Sequence, residues 1–248
     1  MKKWVKYSLY IILVLLLAAV LGFYIWSQQT YKPTSELKSL VTTKDYKKSD
    51  DLYVFQPKQK TEVGIILYPG AKVEPLAYGY IAKELQQQGY FVVIPQMRFN
   101  MAIFEEKKAN YIIEEYGDID RWVIGGHSLG GVVAASYTEK NPDHIAGLFL
   151  YASYPSKSVD FSTTNLPTLS IFAEHDQVSP PEDIFKHQSN LSNVAVLHEI
   201  IGGNHAGFGM YGKQSDDGEA TISNLQQQKK VIKQTLKWLE KTKTTSDK

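Results

Sequence analysis

Apolar residues run along this chain in short blocks, separated by polar stretches, prolines and glycines. The first block differs in scale. Tyr7 to Trp26 is 20 residues without a charge, dominated by Leu, Ile, Val and Ala. A helix of that length spans a hydrocarbon core of about 30 Å. The later blocks are shorter. Leu52 to Phe55 reads as a strand ended by Pro57, and Val63 to Tyr68 as a second, broken by Pro69-Gly70. The second is apolar throughout, as expected of a central parallel strand covered on both faces. Glu74 to Gln88 has Leu76, Tyr80, Ile81 and Leu85 on one helical face, with Gly89 as C-cap. Tyr90 to Ile94 is a strand that Pro95 stops, and Ala102 to Tyr116 reads as helical. Trp122 to Ile124 is a buried strand followed by a helix of small and β-branched residues. Ile145 to Ala152, Leu169 to Ala173 and Val194 to Ile201 are further strands, and Ser223 to Leu239 is the last helix. This alternation predicts an α/β fold with a mainly parallel sheet and helices on both faces.

Four segments follow from the pattern. Residues 1–31 form a membrane anchor or signal segment, 32–51 a polar tether rich in Lys, Ser and Thr, 52–242 the folded domain, and 243–248 a polar tail. Lys2, Lys3 and Lys6 precede the long apolar block, and Tyr7, Tyr10, Tyr24 and Trp26 sit near its ends, where aromatic rings favour the interface. That charge asymmetry predicts a single-pass anchor with the domain outside the cytoplasm. The alternative is a cleaved signal peptide and a secreted domain. Signal peptides have shorter apolar runs, and no clean A-x-A site follows Ala18-Ala19.

The chemistry begins at Gly126-His127-Ser128-Leu129-Gly130, which has the G-x-S-x-G spacing of a nucleophile elbow. A serine on a sharp strand-to-helix turn is pushed clear of the sheet. Residues two before and two after it must be small, because strand and helix nearly touch. The helix N-terminus behind it supplies positive potential where an oxyanion would form. A serine hydroxyl also needs a base, and the base needs an orienting acid. Candidates belong on loops at the carboxyl ends of later strands. Asp176 lies three residues past Ala173, and His205 lies in a glycine-rich loop just past Ile201. The order Ser128, Asp176, His205 is the one this motif expects. Glu174 on the same loop is the rival acid. His127 abuts the serine but must point elsewhere on the turn, His144 and His198 lie at a strand start and within a strand on no expected site edge, and His175 and His187 are loop or helix histidines. For the oxyanion, the N–H of Leu129 and that of Ala71, in Pro69-Gly70-Ala71, are the candidate donors.

Composition removes other classes. The chain of 248 residues carries 27 basic and 26 acidic residues, a formal charge of +1. Only Arg98 and Arg121 are arginines, so there is no footprint for nucleic acid. With no cysteine, disulfides, thiolate metal sites, a lipoprotein anchored through cysteine and a cysteine nucleophile are all excluded. The chemistry expected of Ser128 calls for no metal and no cofactor, and no protein partner is identifiable.

The segments Tyr68 to Val73, Val93 to Met97, Gly126 to Gly131 and Gly202 to Gly212 together resemble a small, lidless group of bacterial α/β-hydrolases related to dienelactone hydrolases. The resemblance covers roughly residues 52–242. It implies an α/β-hydrolase fold and an esterase-type serine hydrolase acting on a small acyl substrate. Met97, Arg98 and Phe208 are its candidate substrate contacts. Two departures stand out. Arg98 replaces an expected neutral residue, and a dienelactone hydrolase itself uses a cysteine nucleophile. Only 16 residues, Ser153 to Thr168, lie where many lipases insert a helical cap, so no cap domain and an open site are expected. Peptidase, thioesterase and acyltransferase chemistry fit the same residues, as does a non-catalytic binding protein on this scaffold.

Overall fold

The computed structural model describes residues 3–245; Met1, Lys2 and the last three residues of the expected polar tail lie outside it. Eight strands form one sheet. In chain order they are β1 (Lys47–Ser49), β2 (Leu52–Phe55), β3 (Val63–Tyr68), β4 (Phe91–Pro95), β5 (Arg121–His127), β6 (Gly147–Tyr151), β7 (Thr168–Ala173) and β8 (Val196–Ile200). Their spatial order is β1-β2-β4-β3-β5-β6-β7-β8. The first three neighbours pair antiparallel, and the rest are parallel from β4 onward.

The side-chain alternation of the central strands explains the layers. Ile65 and Leu67 of β3, with Val92 and Ile94 of β4, face α3 (Gly79–Gln87) and α7 (Asn224–Thr245). Ile66 and Tyr68, with Phe91 and Val93, face α4 (Lys108–Glu115) and α5 (Leu129–Lys140). Both faces of the middle strands are therefore dry, which is why they read as unbroken apolar runs. The parallel strands end at one rim, so the loops after Tyr68, His127, Tyr151, Ala173 and Ile200 share it.

The first long apolar block is a helix, α1 (Lys3–Ser27), long and apolar enough to cross a membrane, as a signal sequence can also be. Four expectations change. The stretch 32–51 is not a polar tether. Thr34 caps the short helix α2 (Ser35–Leu40), Leu37 is 1% exposed in the core, and β1 extends the sheet. Leu37, Leu40 and Val41 supply the apolar face, too sparse for a periodicity reading. Helix 74–88 starts late, as a 3-10 turn at Pro75–Tyr78 before α3. The stretch 102–116 likewise opens with a 3-10 turn at Ala102–Phe104, preceded by another at Arg98–Asn100, and α4 begins only at Lys108. At the other end, α7 runs on to Thr245, through part of the expected tail. The link from Ala152 to Pro167 carries no helix, and its Val159 and Phe161 are buried under the sheet rim.

Candidate active site

Ser128 stands between β5 and α5 with φ 52° and ψ −125°. A side chain in that region costs about 1–3 kcal/mol, so the surroundings must hold it. Its N–H donates to Tyr151 O at 2.9 Å. Its carbonyl accepts from Gly131 N–H at 3.0 Å and from Ser153 Oγ at 2.8 Å. The flanking glycines are dictated by contact. A Cβ on Gly126 would lie 2.5 Å from the Gly130 carbonyl carbon and 2.6 Å from Tyr68 O. One on Gly130 would run into the carbonyl oxygens of Tyr68 and Pro69. The serine itself is half-buried at the rim.

Two of the sequence candidates meet directly. Asp176, 2% exposed, and His205, 1% exposed, join through Oδ2 and Nδ1 at 2.8 Å. The other oxygen, Oδ1, accepts from the N–H groups of Val178 at 2.9 Å and Ser179 at 2.7 Å. A carboxylate so anchored assigns the proton of the neutral imidazole to Nδ1 and leaves Nε2 as an acceptor. Glu174 is turned away: it is exposed, and Oε2 accepts from Gly202 N–H at 2.8 Å. The acid of this pair is therefore Asp176.

The histidine loop is held by residues the sequence did not single out. Asp217 accepts from the N–H groups of His205 at 3.2 Å and Ala206 at 2.8 Å. Gln227, from α7, accepts from Asn204 N–H at 3.0 Å and donates to Asn204 O at 2.7 Å. Neither carried a signal, since one sits in a polar loop and the other in a glutamine run.

His127 points away from Ser128, into the protein. Tyr78 Oη accepts from Gly70 N–H at 3.0 Å, which leaves its proton for His127 Nδ1 at 2.9 Å. Burial, then the nearby His205, hold His127 well below the ordinary histidine value, so it is neutral. Its ring centroid is 4.4 Å from that of His205. Among the described residues its Nε2 makes no hydrogen bond of normal geometry, although the His205 backbone favours protonation slightly. The same network narrows the oxyanion donors. Gly70 N–H is taken by Tyr78, and Lys72 N–H by Asn100 O at 2.7 Å. Among the described residues, the N–H groups of Ala71 and Leu129 donate to nothing. Both residues are only partly buried.

The expected substrate contacts fare differently. Phe208 is fully buried, stacked on His127 at 5.7 Å and Tyr151 at 6.0 Å, and supports the histidine loop from below. Met97 packs in the core with Leu52 and Val93. Both are out of reach of a substrate. Arg98 is exposed, on the turn beside the end of α1.

The sequence profile of the alpha/beta hydrolase family matches residues 64–229. No curated protein matches the chain in sequence. Among solved structures, a candidate lipase from Acinetobacter baumannii aligns at TM-score 0.65 and 15% identity, over 85% of this chain and 96% of that one. A membrane phospholipase A described as a bacterial virulence factor aligns at 0.61 and 12% identity, over 96% and 99%. A thermophilic esterase from Thermogutta terrifontis aligns at 0.59 and 15% identity, over 77% and 94%. At these identities the likeness is one of fold.

Proposed function

Because this chain belongs to the alpha/beta hydrolase family, we propose that it is a serine hydrolase of the carboxylesterase type, with Ser128, His205 and Asp176 as its triad. The observation that carries the reading is the buried Asp176–His205 pair, 2.8 Å apart, on the rim that holds the strained Ser128. The esterase and lipase descriptions of the structural neighbours support ester hydrolysis. The motif resemblance and the helix-free link after Ala152 support a place among the small, lidless members related to dienelactone hydrolases.

Ser128 Oγ attacks the acyl carbonyl carbon as His205 Nε2 takes its proton. The carbonyl π electrons move to oxygen, and that oxyanion accepts from Leu129 and Ala71 N–H. Asp176 keeps the imidazole in the Nδ1–H tautomer and stabilises the imidazolium. His205 then protonates the leaving alkoxide, and the acyl group stays on Ser128. Water attacks the acyl-enzyme with His205 again as base, releasing the acid and regenerating Ser128. Ser128 Oγ makes no hydrogen bond among the described residues; such bonds commonly tighten only when substrate is bound. No step needs a metal or cofactor.

In the same reading α1 is an uncleaved anchor, with the domain outside the cytoplasm. Ser128→Ala tests the nucleophile. Hydrolysis of p-nitrophenyl esters by the variant should fall roughly 10⁴-fold or more with the fold intact. Retention of a tenth of the activity would remove Ser128 from the reaction.

A further inference from the structure

The first helix does not leave the domain at a free hinge. Its last turn packs on the loop after β4. Phe23 meets Phe99 at 5.4 Å and Phe104 at 5.9 Å, both edge-on. Trp26 lies 5.9 Å from Phe23, and Lys72 Nζ sits 4.3 Å over its ring. Ser27 is buried, and its carbonyl accepts from Asn100 Nδ2 at 2.9 Å. Tyr31 N–H then donates to Lys72 O at 2.7 Å. Helix end, loop 98–104 and the Ala71-Lys72 loop are thus one packed unit.

That unit exposes what a soluble surface would hide. Ile103 is 55% and Phe104 43% exposed, beside the point where a membrane-length helix ends. Arg98 is exposed on the same loop, and Lys72 lies at the level of Trp26. Apolar and aromatic side chains flanked by cations match the layer where acyl chains give way to phosphates. Continuity with α1 selects the occupant: the bilayer that the helix itself crosses.

We infer that loop 98–104 and the last turn of α1 form one seat in the membrane interface, and that the site takes esters resident in that bilayer. The seat rests on α1 being retained; the substrate class rests on the hydrolase reading. The link between them is covalent, since Ala71, the proposed oxyanion donor, precedes Lys72, which packs on the seat through the Trp26 ring and donates its N–H to Asn100 O. An ester carbonyl at headgroup depth can then meet Leu129 and Ala71 without its acyl chain crossing water.

The chain has no cysteine, so Ile103→Cys, Phe104→Cys and Lys60→Cys each carry a single thiol. Lys60 is exposed on the loop before β3, at the opposite end of the sheet. Each full-length variant is labelled with an environment-sensitive fluorophore and reconstituted into phosphatidylethanolamine–phosphatidylglycerol vesicles containing spin-labelled lipid. Labels at 103 and 104 should shift to the blue and be quenched, whereas a label at 60 should behave as in water. If all three behave alike, the seat does not exist. For the substrate, Ile103→Asp combined with Phe104→Asp should hydrolyse soluble p-nitrophenyl acetate within twofold of wild type, and vesicle-borne p-nitrophenyl palmitate at least tenfold more slowly. Equal losses on both esters overturn the substrate class. Ser128→Ala keeping both activities would instead overturn the hydrolase reading, leaving the depth result as it stands.

Discussion

Replacing Asp176 by asparagine removes one proton acceptor and almost no volume. The wild-type carboxylate accepts three hydrogen bonds, from Val178 N–H, Ser179 N–H and His205 Nδ1–H. In the asparagine variant the two backbone donors keep the amide oxygen on their side. The amide NH₂ then faces Nδ1, which can pair with it only as an acceptor. The imidazole proton moves to Nε2, where it blocks removal of the Ser128 proton, and the imidazolium loses its charged partner. Both effects act on the chemical step, so kcat should fall about 10⁴-fold, which is about 5 kcal/mol of activation free energy. Stability should change little, because the two backbone bonds survive. The assay pairs p-nitrophenyl ester kinetics with thermal unfolding of the same preparation. Glu174→Gln is the control: its carboxylate is exposed, accepts from Gly202 N–H and lies 3.8 Å from His175 Nε2, away from His205, so activity should stay within a few-fold. An active Asp176→Asn, or an inactive Glu174→Gln, would refute the assignment of the acid.

Gly130→Ala should destabilise the domain by about 1–3 kcal/mol or more, because its Cβ meets backbone oxygens that cannot turn aside; unchanged urea unfolding would show that strand and helix can part there. His127 is held neutral in the fold, while in the unfolded chain it titrates at about 6.5. The stability it contributes is therefore present above that pH and is lost as pH falls through the depressed folded value, with a slope of at most ~1.4 kcal/mol per pH unit. Unfolding curves for His127→Gln should show a shallower acid slope than wild type, and equal slopes would mean that His127 titrates alike in both states. Protease added outside intact cells should digest the domain; a domain digested only after lysis would reverse the orientation assigned to α1.

The parts of the fold visible in sequence are those where one requirement rules out all others. Val63–Tyr68 is buried on both faces, so every residue is apolar. At the elbow, backbone contact leaves room only for glycine at 126 and 130, which makes the motif readable. Asp176 and His205 are recognisable by chain order and by their places just after strands. What stayed hidden depends on long-range pairing. Leu37 and Val41 are too few to mark 32–51 as part of the domain, yet both are core residues. Arg98–Asn100 needs positive φ at Phe99 and Asn100, which neither residue announces, and the sequence reads as helical from Ala102 although α4 begins at Lys108. Met97 and Phe208 sit on motif loops but point inward, and a loop position does not say which way its side chain faces. Asp217 and Gln227 act only by bonding a loop from elsewhere in the chain.

The central claim is that Ser128 is a nucleophile activated by His205. Its most direct test is to treat the full-length protein with a fluorophosphonate and locate the adduct by peptide mass spectrometry. One covalent adduct is expected on Ser128, absent from Ser128→Ala and formed far more slowly in His205→Gln. An adduct on another serine, or equal labelling rates with and without His205, would contradict it.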